Sequence, residues 1–158
     1  VLFDAGTTTM RLAERLPHDR ELTIVTNSLS IATIVAQHAN LSLYLLGGRV
    51  RGRTLASVGS WVTNALQDVF VDVAFIGTNG LSPEHGLTTP DQSEAAAKRA
   101  MIRAARRSVV LADHTKIGVD HFSKFADLSE IAAMISDNGL DPETAAEIEA
   151  LGPEVVLA

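Results

Sequence analysis

Apolar positions along the chain follow two alternating periods, which predict strands and helices in turn. Continuous apolar runs, typical of buried strands, occur at residues 1–5, 22–26, 41–46, 71–76, 108–112, 132–136 and 154–157. Helical spacing predicts helices at residues 9–16, 29–38, 58–70, 90–107 and 141–151. A further short strand is expected within residues 49–55.

This alternation predicts an α/β fold. Strands that are apolar throughout are buried on both faces, which favours a mostly parallel sheet covered by helices on each side. In such sheets, ligands bind beyond the carboxyl ends of the strands, where the strand order switches. No long linker or repeat interrupts the pattern, so residues 1–158 are expected to form one domain. The chain begins inside an apolar run, which suggests a fragment of a longer protein.

The start of the predicted helix at residues 90–107 carries a recognisable signal. Thr89 is expected to cap the helix with its hydroxyl, with Pro90 at the first helical position and Gln92 at the third. The Asn79-Gly80 pair is typical of a turn between strands.

Composition narrows the class of protein. Of the 158 residues, 46% are hydrophobic and 20% are charged, which is typical of a folded globular protein. The chain has no cysteine, so disulfides, thiolate metal sites and cysteine nucleophiles are excluded, and a reducing cytoplasmic location is expected. No apolar run is long enough to span a membrane.

The charge balance argues against nucleic-acid binding by this chain alone. The formal net charge is -6, whereas affinity for duplex DNA comes largely from neutralising phosphates. Aromatic residues make up only 4% of the chain, too few for a surface that stacks single-stranded bases.

Polar segments follow several predicted strands, and the first is Asp4-Ala5-Gly6-Thr7-Thr8-Thr9. Glycine allows close backbone approach, and hydroxyls and unpaired amides at a helix start can bind an anion. The alternative is an ordinary strand–helix turn capped by threonine. Three successive hydroxyls exceed what capping requires, which favours the anion site.

Other candidate segments are weaker individually. Each follows a strand or opens a helix: Thr26-Asn27-Ser28, Gly47-Gly48-Arg49, Ile76-Gly77-Thr78-Asn79-Gly80 and residues 111–118. Arg49, Arg51 and Arg53 would share one face if extended, or form a solvated basic edge. Glu94 and Lys98 could form a solvated i,i+4 ion pair, or face a phosphorylated sugar.

Most of the basic run that begins at Lys98 is expected to lie on a solvated helix face; its members are Lys98, Arg99, Arg103, Arg106 and Arg107. Histidines occur without metal-ligand spacing, at His18, His38, His85, His114 and His121. A metal site is therefore not expected. The sequence also has no Gly-x-Ser-x-Gly motif, so a nucleophilic serine is not indicated.

Taken in order, the segments resemble the C-terminal sensor domain of DeoR-family transcriptional repressors. The resemblance covers about residues 1–137 and is carried by Asp4-Ala5-Gly6-Thr7-Thr8-Thr9, Thr26-Asn27-Ser28, Gly47-Gly48-Arg49, and residues 72–80, 86–89, 94–102 and 111–118. It implies a Rossmann-like three-layer α/β sandwich similar to ribose-5-phosphate isomerase. It also implies a phosphorylated sugar effector, a homo-oligomer (dimer or tetramer), and DNA binding only through an N-terminal winged helix-turn-helix that this chain lacks.

The resemblance assigns roles to individual positions. Gly6, Thr7, Thr8 and Thr9 would bind phosphate, Glu94 and Lys98 would face the sugar, and Lys116 would add positive charge. The full set of ligand-binding candidates is Asp4, Gly6, Thr7, Thr8, Thr9, Thr26, Asn27, Gly48, Asn79, Gly80, Glu94, Lys98 and Lys116. On this interpretation, Lys98→Ala abolishes ligand binding and leaves the melting temperature of the unliganded domain nearly unchanged.

Enzymatic alternatives are less favoured. The isomerases carry catalytic carboxylates in the loop where this chain has Thr78-Asn79-Gly80, so a general base is missing and no catalytic residue is assigned. Asp-x-Gly-Thr-Thr also occurs in actin-like sugar kinases, but a hairpin follows it there and a helix is predicted here. A haloacid-dehalogenase phosphatase would need an aspartate at Gly6. No cofactor is expected.

Overall fold

The computed structural model describes residues 1–17 and 19–158. Strands of the described chain are, in order, β1 (Leu2–Phe3), β2 (Leu22–Thr26), β3 (Leu41–Leu45), β4 (Arg49–Arg51), β5 (Ala56–Val58), β6 (Val71–Gly77), β7 (Gly80–Ser82), β8 (Gly86–Thr89), β9 (Ala105–Leu111), β10 (Ser123–Ala126), β11 (Ala133–Ser136) and β12 (Glu154–Leu157). Helices are α1 (Thr7–Ala13), α2 (Leu29–Val35), α3 (Ser60–Ala65), α4 (Gln92–Ala104) and α5 (Pro142–Ala150). Short 3-10 helices occur at Leu66–Asp68, His114–Lys116 and Leu128–Glu130.

Seven strands form the main sheet, in the order β12-β11-β9-β6-β1-β2-β3. Every neighbouring pair in it is parallel. From β1 the chain builds outward through β2 and β3, and from β6 it builds in the opposite direction through β9, β11 and β12. The strand order therefore switches between β1 and β6, where Leu2 pairs with Ala74 and Phe3 with Phe75.

Helices cover both faces of this sheet, because successive strand residues point to opposite sides. Phe3 packs with Ile24 and Ile31 in the core beneath α1 and α2. Leu2, one residue earlier, belongs to the opposite core, which includes Val62 of α3 and Met101 of α4. The prediction of a three-layer α/β sandwich with a mostly parallel sheet is confirmed.

Two smaller antiparallel sheets accompany the main one. The short strand expected within residues 49–55 is β4, whereas β5, β7, β8 and β10 were not predicted. One has the order β10-β8-β7, and the other is the β4–β5 hairpin. The interpretation of Asn79-Gly80 as a turn agrees with the position of Asn79 between β6 and β7, although Gly80 itself begins β7 and pairs with Thr88 of β8. These strands contain three or four residues each, so their apolar pattern is too short to identify them.

Several predicted helix boundaries were also wrong. Thr89 lies in β8, and Asp91 caps α4 by accepting a 2.9 Å hydrogen bond from the Glu94 amide. The helix ends at Ala104, so Arg106 and Arg107 belong to β9. The helix predicted at residues 58–70 is shorter and consists of α3 and the 3-10 turn that follows it. The helix predicted at residues 9–16 is α1, which begins two residues earlier and ends at Ala13.

Within the described part of the chain, no helix has both the length and the apolar character that crossing a membrane requires.

Gly80 supplies a stability test of the β7–β8 packing. A Cβ at this position would lie 2.2 Å from the Val119 carbonyl oxygen and 2.9 Å from the Thr88 hydroxyl. Gly80→Ala should therefore lower the free energy of unfolding by about 1–3 kcal/mol or more, as overpacking does. The measurement is urea unfolding. Gly47→Ala is the control, since a Cβ there meets no atom within 4 Å; equal stability of the two variants would contradict the packing described.

Candidate functional site

A cavity of about 530 Å3 opens at the strand-order switch, beyond the carboxyl ends of β1 and β6. The segments that follow β1, β2, β6 and β9 contribute to its lining, together with the β4–β5 hairpin and α4. This is the position at which open α/β sheets bind ligands. Residues far apart in the sequence therefore share one site.

The segment after β1 presents donors to this cavity. Thr7 and Thr8 line it, are exposed, and have no hydrogen-bond partner for their hydroxyls in the described structure. Thr9 has a different role, because its buried hydroxyl donates to the Gly6 carbonyl at 3.0 Å. Gly6 occupies the capping position of α1, and no side chain caps this helix, so the threonine-cap alternative was wrong.

A buried ion pair forms the floor of the cavity. The Lys98 ammonium, whose residue is 5% exposed, contacts the Asp4 carboxylate and donates to the Gly77 carbonyl at 2.9 Å. The Gly77 amide donates in turn to Asp4 Oδ2 at 3.1 Å. The ring centroid of Phe125 lies 5.6 Å from Lys98 Nζ. The end of β1, the end of β6 and the middle of α4 are thereby held together.

The electrostatics of Asp4 reflect its burial. Removal from water raises the pKa of the Asp4 carboxyl above its ordinary value. The positive charge of Lys98 and hydrogen bonds from Lys98, Gly77 and Ala5 oppose this rise. The interpretation of Lys98 as part of a solvated face was wrong, as was a Glu94–Lys98 pair, since Lys98 pairs with Asp4 instead.

The β4–β5 hairpin forms one wall and is fastened to α4. Arg51 pairs with Glu94, its Nη2 lies 3.6 Å from Asp91 Oδ2, and the Thr54 hydroxyl donates to Glu94 Oε1 at 3.3 Å. Between these anchors, Arg53 at the hairpin tip lines the cavity. Arg49 and Arg51 lie in β4, but the strand ends before Arg53, so the three arginines do not share one extended strand.

Asn27 joins three chain segments at the cavity edge. Its Oδ1 accepts from the Ala5 amide at 3.0 Å, and its Nδ2 donates to the Ser57 carbonyl at 3.0 Å. These bonds connect the ends of β1 and β2 to β5. Asn27 lines the cavity but is only 2% exposed, and both polar atoms of its side chain already have a partner.

A second polar cluster at the cavity is suited to binding hydroxyls. The Thr89 hydroxyl lies 2.9 Å from Asn79 Oδ1 and 3.3 Å from Glu94 Oε2. Asn79 and Glu94 both line the cavity, and the side-chain Nδ2 of Asn79 has no partner in the described structure.

Asp113 and Lys116, which follow β9, complete the rim. Hydrogen bonding from the Thr115 hydroxyl is the main cause that lowers the pKa of Asp113, with Lys116 contributing by its charge. His114 Nδ1 lies 2.7 Å from Asp137 Oδ1, which fixes this loop against the end of β11.

Ten of the predicted ligand-binding residues line this one cavity: Asp4, Gly6, Thr7, Thr8, Thr9, Asn27, Asn79, Glu94, Lys98 and Lys116. Thr26, Gly48 and Gly80 are absent from the lining and have packing roles. The Thr26 hydroxyl donates to the Phe3 carbonyl at 2.8 Å. Gly48 has a φ of 141°, and a Cβ there would lie 3.0 Å from the Val58 carbonyl oxygen. Gly80 packs against Val119.

Metal-binding groups of three or more His, Cys, Asp or Glu side chains are not found among residues 1–17 and 19–158. His18 lies outside the described residues. The absence of a metal or cofactor stays a prediction.

The family model described as the DeoR C-terminal sensor domain matches residues 1–138. The chain belongs to this family. Among curated relatives, the HTH-type transcriptional regulator GlpR of Haloferax volcanii is 42% identical over 156 residues, covering 99% of this chain and 61% of GlpR. The HTH-type transcriptional repressor GlcR of Bacillus subtilis is 36% identical over 137 residues, covering 87% of this chain and 52% of GlcR.

The sensor domain thus spans roughly half to three fifths of these relatives. Solved structures resemble it at low sequence identity. The eIF2B beta structure from Chaetomium thermophilum has a TM-score of 0.51 at 11% identity, covering 84% of this chain and 42% of that one. A D-ribose-5-phosphate isomerase in complex with phospho-erythronic acid has a TM-score of 0.49 at 17% identity, covering 76% of this chain and 47% of the isomerase chain.

Burial of the Asp4–Lys98 pair changes what a Lys98 substitution should do. Lys98→Met leaves the Asp4 carboxylate buried without its cation, so the free energy of unfolding of the sensor domain should fall by about 3–5 kcal/mol. This replaces the expectation that loss of Lys98 leaves the unliganded domain nearly unchanged. Urea unfolding measures the effect.

The control is Lys124→Met, which breaks an exposed pair with Asp127 and should cost at most about 1 kcal/mol. Without Lys98, the pKa of Asp4 in the folded variant should rise further above that of the unfolded chain. Between these two pKa values, Asp4 is protonated in the folded state and ionised in the unfolded state. The stability deficit should therefore shrink as the pH falls from neutral to mildly acidic. A deficit equal to that of Lys124→Met, constant with pH, would contradict the buried pair.

Proposed function

We propose that this sensor domain binds a phosphorylated sugar in the cavity at the strand-order switch. The observation that carries the proposal is that several donors without a hydrogen-bond partner in the described structure line one cavity: the Thr7 and Thr8 hydroxyls, the side-chain Nδ2 of Asn79 and the Lys116 ammonium. Hydroxyl and amide donors with a cation fit the oxygens of a phosphate. The cavity volume falls within the usual range for small-molecule sites, about 300–1,000 Å3.

The lining favours a carbohydrate over a nucleotide. None of the described residues that line the cavity is aromatic, so no ring is present on which a base could stack. Glu94 and Asn79 offer a carboxylate and an amide, which suit sugar hydroxyls.

The site supports sensing rather than turnover. A general base must reach the substrate proton with an available carboxylate or imidazole. The Thr78-Asn79-Gly80 loop has none. The Asp4 carboxylate is paired with Lys98 and that of Glu94 with Arg51, and Asp113 Oδ1 accepts from the Thr115 backbone amide and hydroxyl. An isomerase is therefore the less favoured alternative.

In the whole protein, effector binding would modulate operator binding by an N-terminal winged helix-turn-helix domain. The names of the relatives as HTH-type regulators and the share of their length that this chain spans support this proposal. A regulator of this kind would act in the cytoplasm. Exposed apolar side chains, such as Trp61, Phe70 and Phe122, are compatible with a homo-oligomer.

A ligand panel tests the proposal. Triose, pentose and hexose phosphates are added singly, each beside its unphosphorylated sugar, and thermal unfolding is followed. At a concentration one hundred times its dissociation constant, the true effector should add roughly 2.7 kcal/mol to the stability of the domain. The unphosphorylated sugar should add much less. If no sugar phosphate raises the melting temperature, the proposal fails.

The variant Thr7→Val, Thr8→Val locates the binding. It keeps the side-chain shape and removes two unpartnered hydroxyls, so affinity for the sugar phosphate should fall by roughly tenfold or more while the unliganded melting temperature changes little. Thr23→Val is the control, because Thr23 is exposed on β2 away from the cavity. Titration calorimetry that gives both variants the affinity of the parent would remove this segment from the site.

A further inference from the structure

The charges that line the cavity are balanced between three acids and three bases. Its charged side chains are Asp4, Glu94, Asp113, Arg53, Lys98 and Lys116. A lining that is neutral in sum attracts an anion only if some cation remains unpaired. Which base is available therefore determines where the anionic group of an effector binds.

Lys98 is already committed. Its ammonium contacts the buried Asp4 carboxylate and donates to the Gly77 carbonyl, so two of its three N–H groups are used. Moving its charge to a ligand would leave Asp4 buried and uncompensated. The Asp4–Lys98 pair therefore acts as a neutral floor, with at most one N–H of Lys98 left for the ligand.

Lys116 is only partly available. The charge of Lys116 acts on Asp113, another residue of the cavity rim. An incoming anion would have to approach the Asp113 carboxylate as it approached Lys116. This neighbour reduces the net attraction that Lys116 can supply.

Arg53 differs from both lysines. It is exposed, it lines the cavity, and it has neither an ion pair nor a hydrogen bond in the described structure. Its neighbours Arg51 and Thr54 both bind Glu94 of α4, which fixes the hairpin on either side of it. The structure thus holds an unpaired guanidinium at the cavity mouth on an anchored support.

We propose that Arg53 is the residue that binds the anionic group of the effector. A guanidinium can donate two parallel hydrogen bonds to phosphate, which suits it to this role better than a lysine. The Thr7 and Thr8 hydroxyls supply further donors to the same group, and the Asp4–Lys98 pair forms the floor beneath the ligand. This assignment rests on the proposed function, because it presupposes a phosphorylated ligand.

Arg49 provides a matched control on the same hairpin. It is exposed, has no partner in the described structure, and is absent from the cavity lining. Removing it changes the net charge by the same amount as removing Arg53. A difference between the two variants therefore reports a local contact rather than the general electrostatic attraction of an anion.

The test measures binding to Arg53→Gln, Arg53→Lys and Arg49→Gln by titration calorimetry. The probes are inorganic phosphate and the panel of triose, pentose and hexose phosphates. Arg53→Gln should weaken binding of phosphate-bearing ligands roughly tenfold or more. Arg53→Lys should recover part of the loss, and Arg49→Gln should bind like the parent. Unliganded melting temperatures should be equal, since neither arginine has a partner to lose.

The outcomes separate this assignment from the proposed function. Parent-like binding by Arg53→Gln, or equal losses in the Arg53 and Arg49 variants, overturns the role of Arg53. If Thr7→Val, Thr8→Val still loses affinity in that case, the sugar-phosphate site stands without Arg53. If the parent domain binds neither inorganic phosphate nor any sugar phosphate of the panel, both proposals fail.

Discussion

The buried pair of Asp4 and Lys98 joins the two halves of the main sheet, which extend in opposite directions from β1 and β6. Asp4 follows β1, Lys98 lies in α4, and both bind the backbone of Gly77 at the end of β6. The strand order switches at this point, so the cavity opens directly above the pair. Replacing either charge alone would leave the other buried without compensation, which makes the floor of the site and the stability of the domain depend on one contact.

Buried and exposed residues of the site differ in how many of their polar groups already have partners. The buried side chains of the site already make structural hydrogen bonds, as Asn27 does by joining Ala5 and Ser57. Groups nearer the mouth, such as Thr7, Thr8 and Arg53, keep their donors available. In the proposed binding mode, the buried residues would position the ligand and the groups without partners would bind it. The hairpin that carries Arg53 is fastened to α4 through Glu94, and α4 also carries Lys98.

Sequence patterns predicted the parts that depend on local order. Long apolar strands such as β6 and β9, and polar residues directly after strands, were identifiable because burial and strand ends leave periodic signals. Strands β7, β8 and β10 were missed because their sequences are too short to show a period. They are defined by pairings between strands, such as that of Leu81 with Leu87. The burial of Lys98 could not be predicted, because its partner Asp4 is 94 residues away. Arg53 was grouped with Arg49 and Arg51, and only the end of β4 separates it from them.

Amide resonances followed by nuclear magnetic resonance during titration of the domain with a sugar phosphate test the central claim most directly. Thr8, Arg53, Asn79 and Asp113 lie on four separate segments around one cavity. If these segments form a single phosphosugar site, all four amides should shift together and follow the same dissociation constant, while amides of the distant helix α5 remain in place. Shifts confined to one segment, different dissociation constants among the four, or a response centred on α5 would contradict the account.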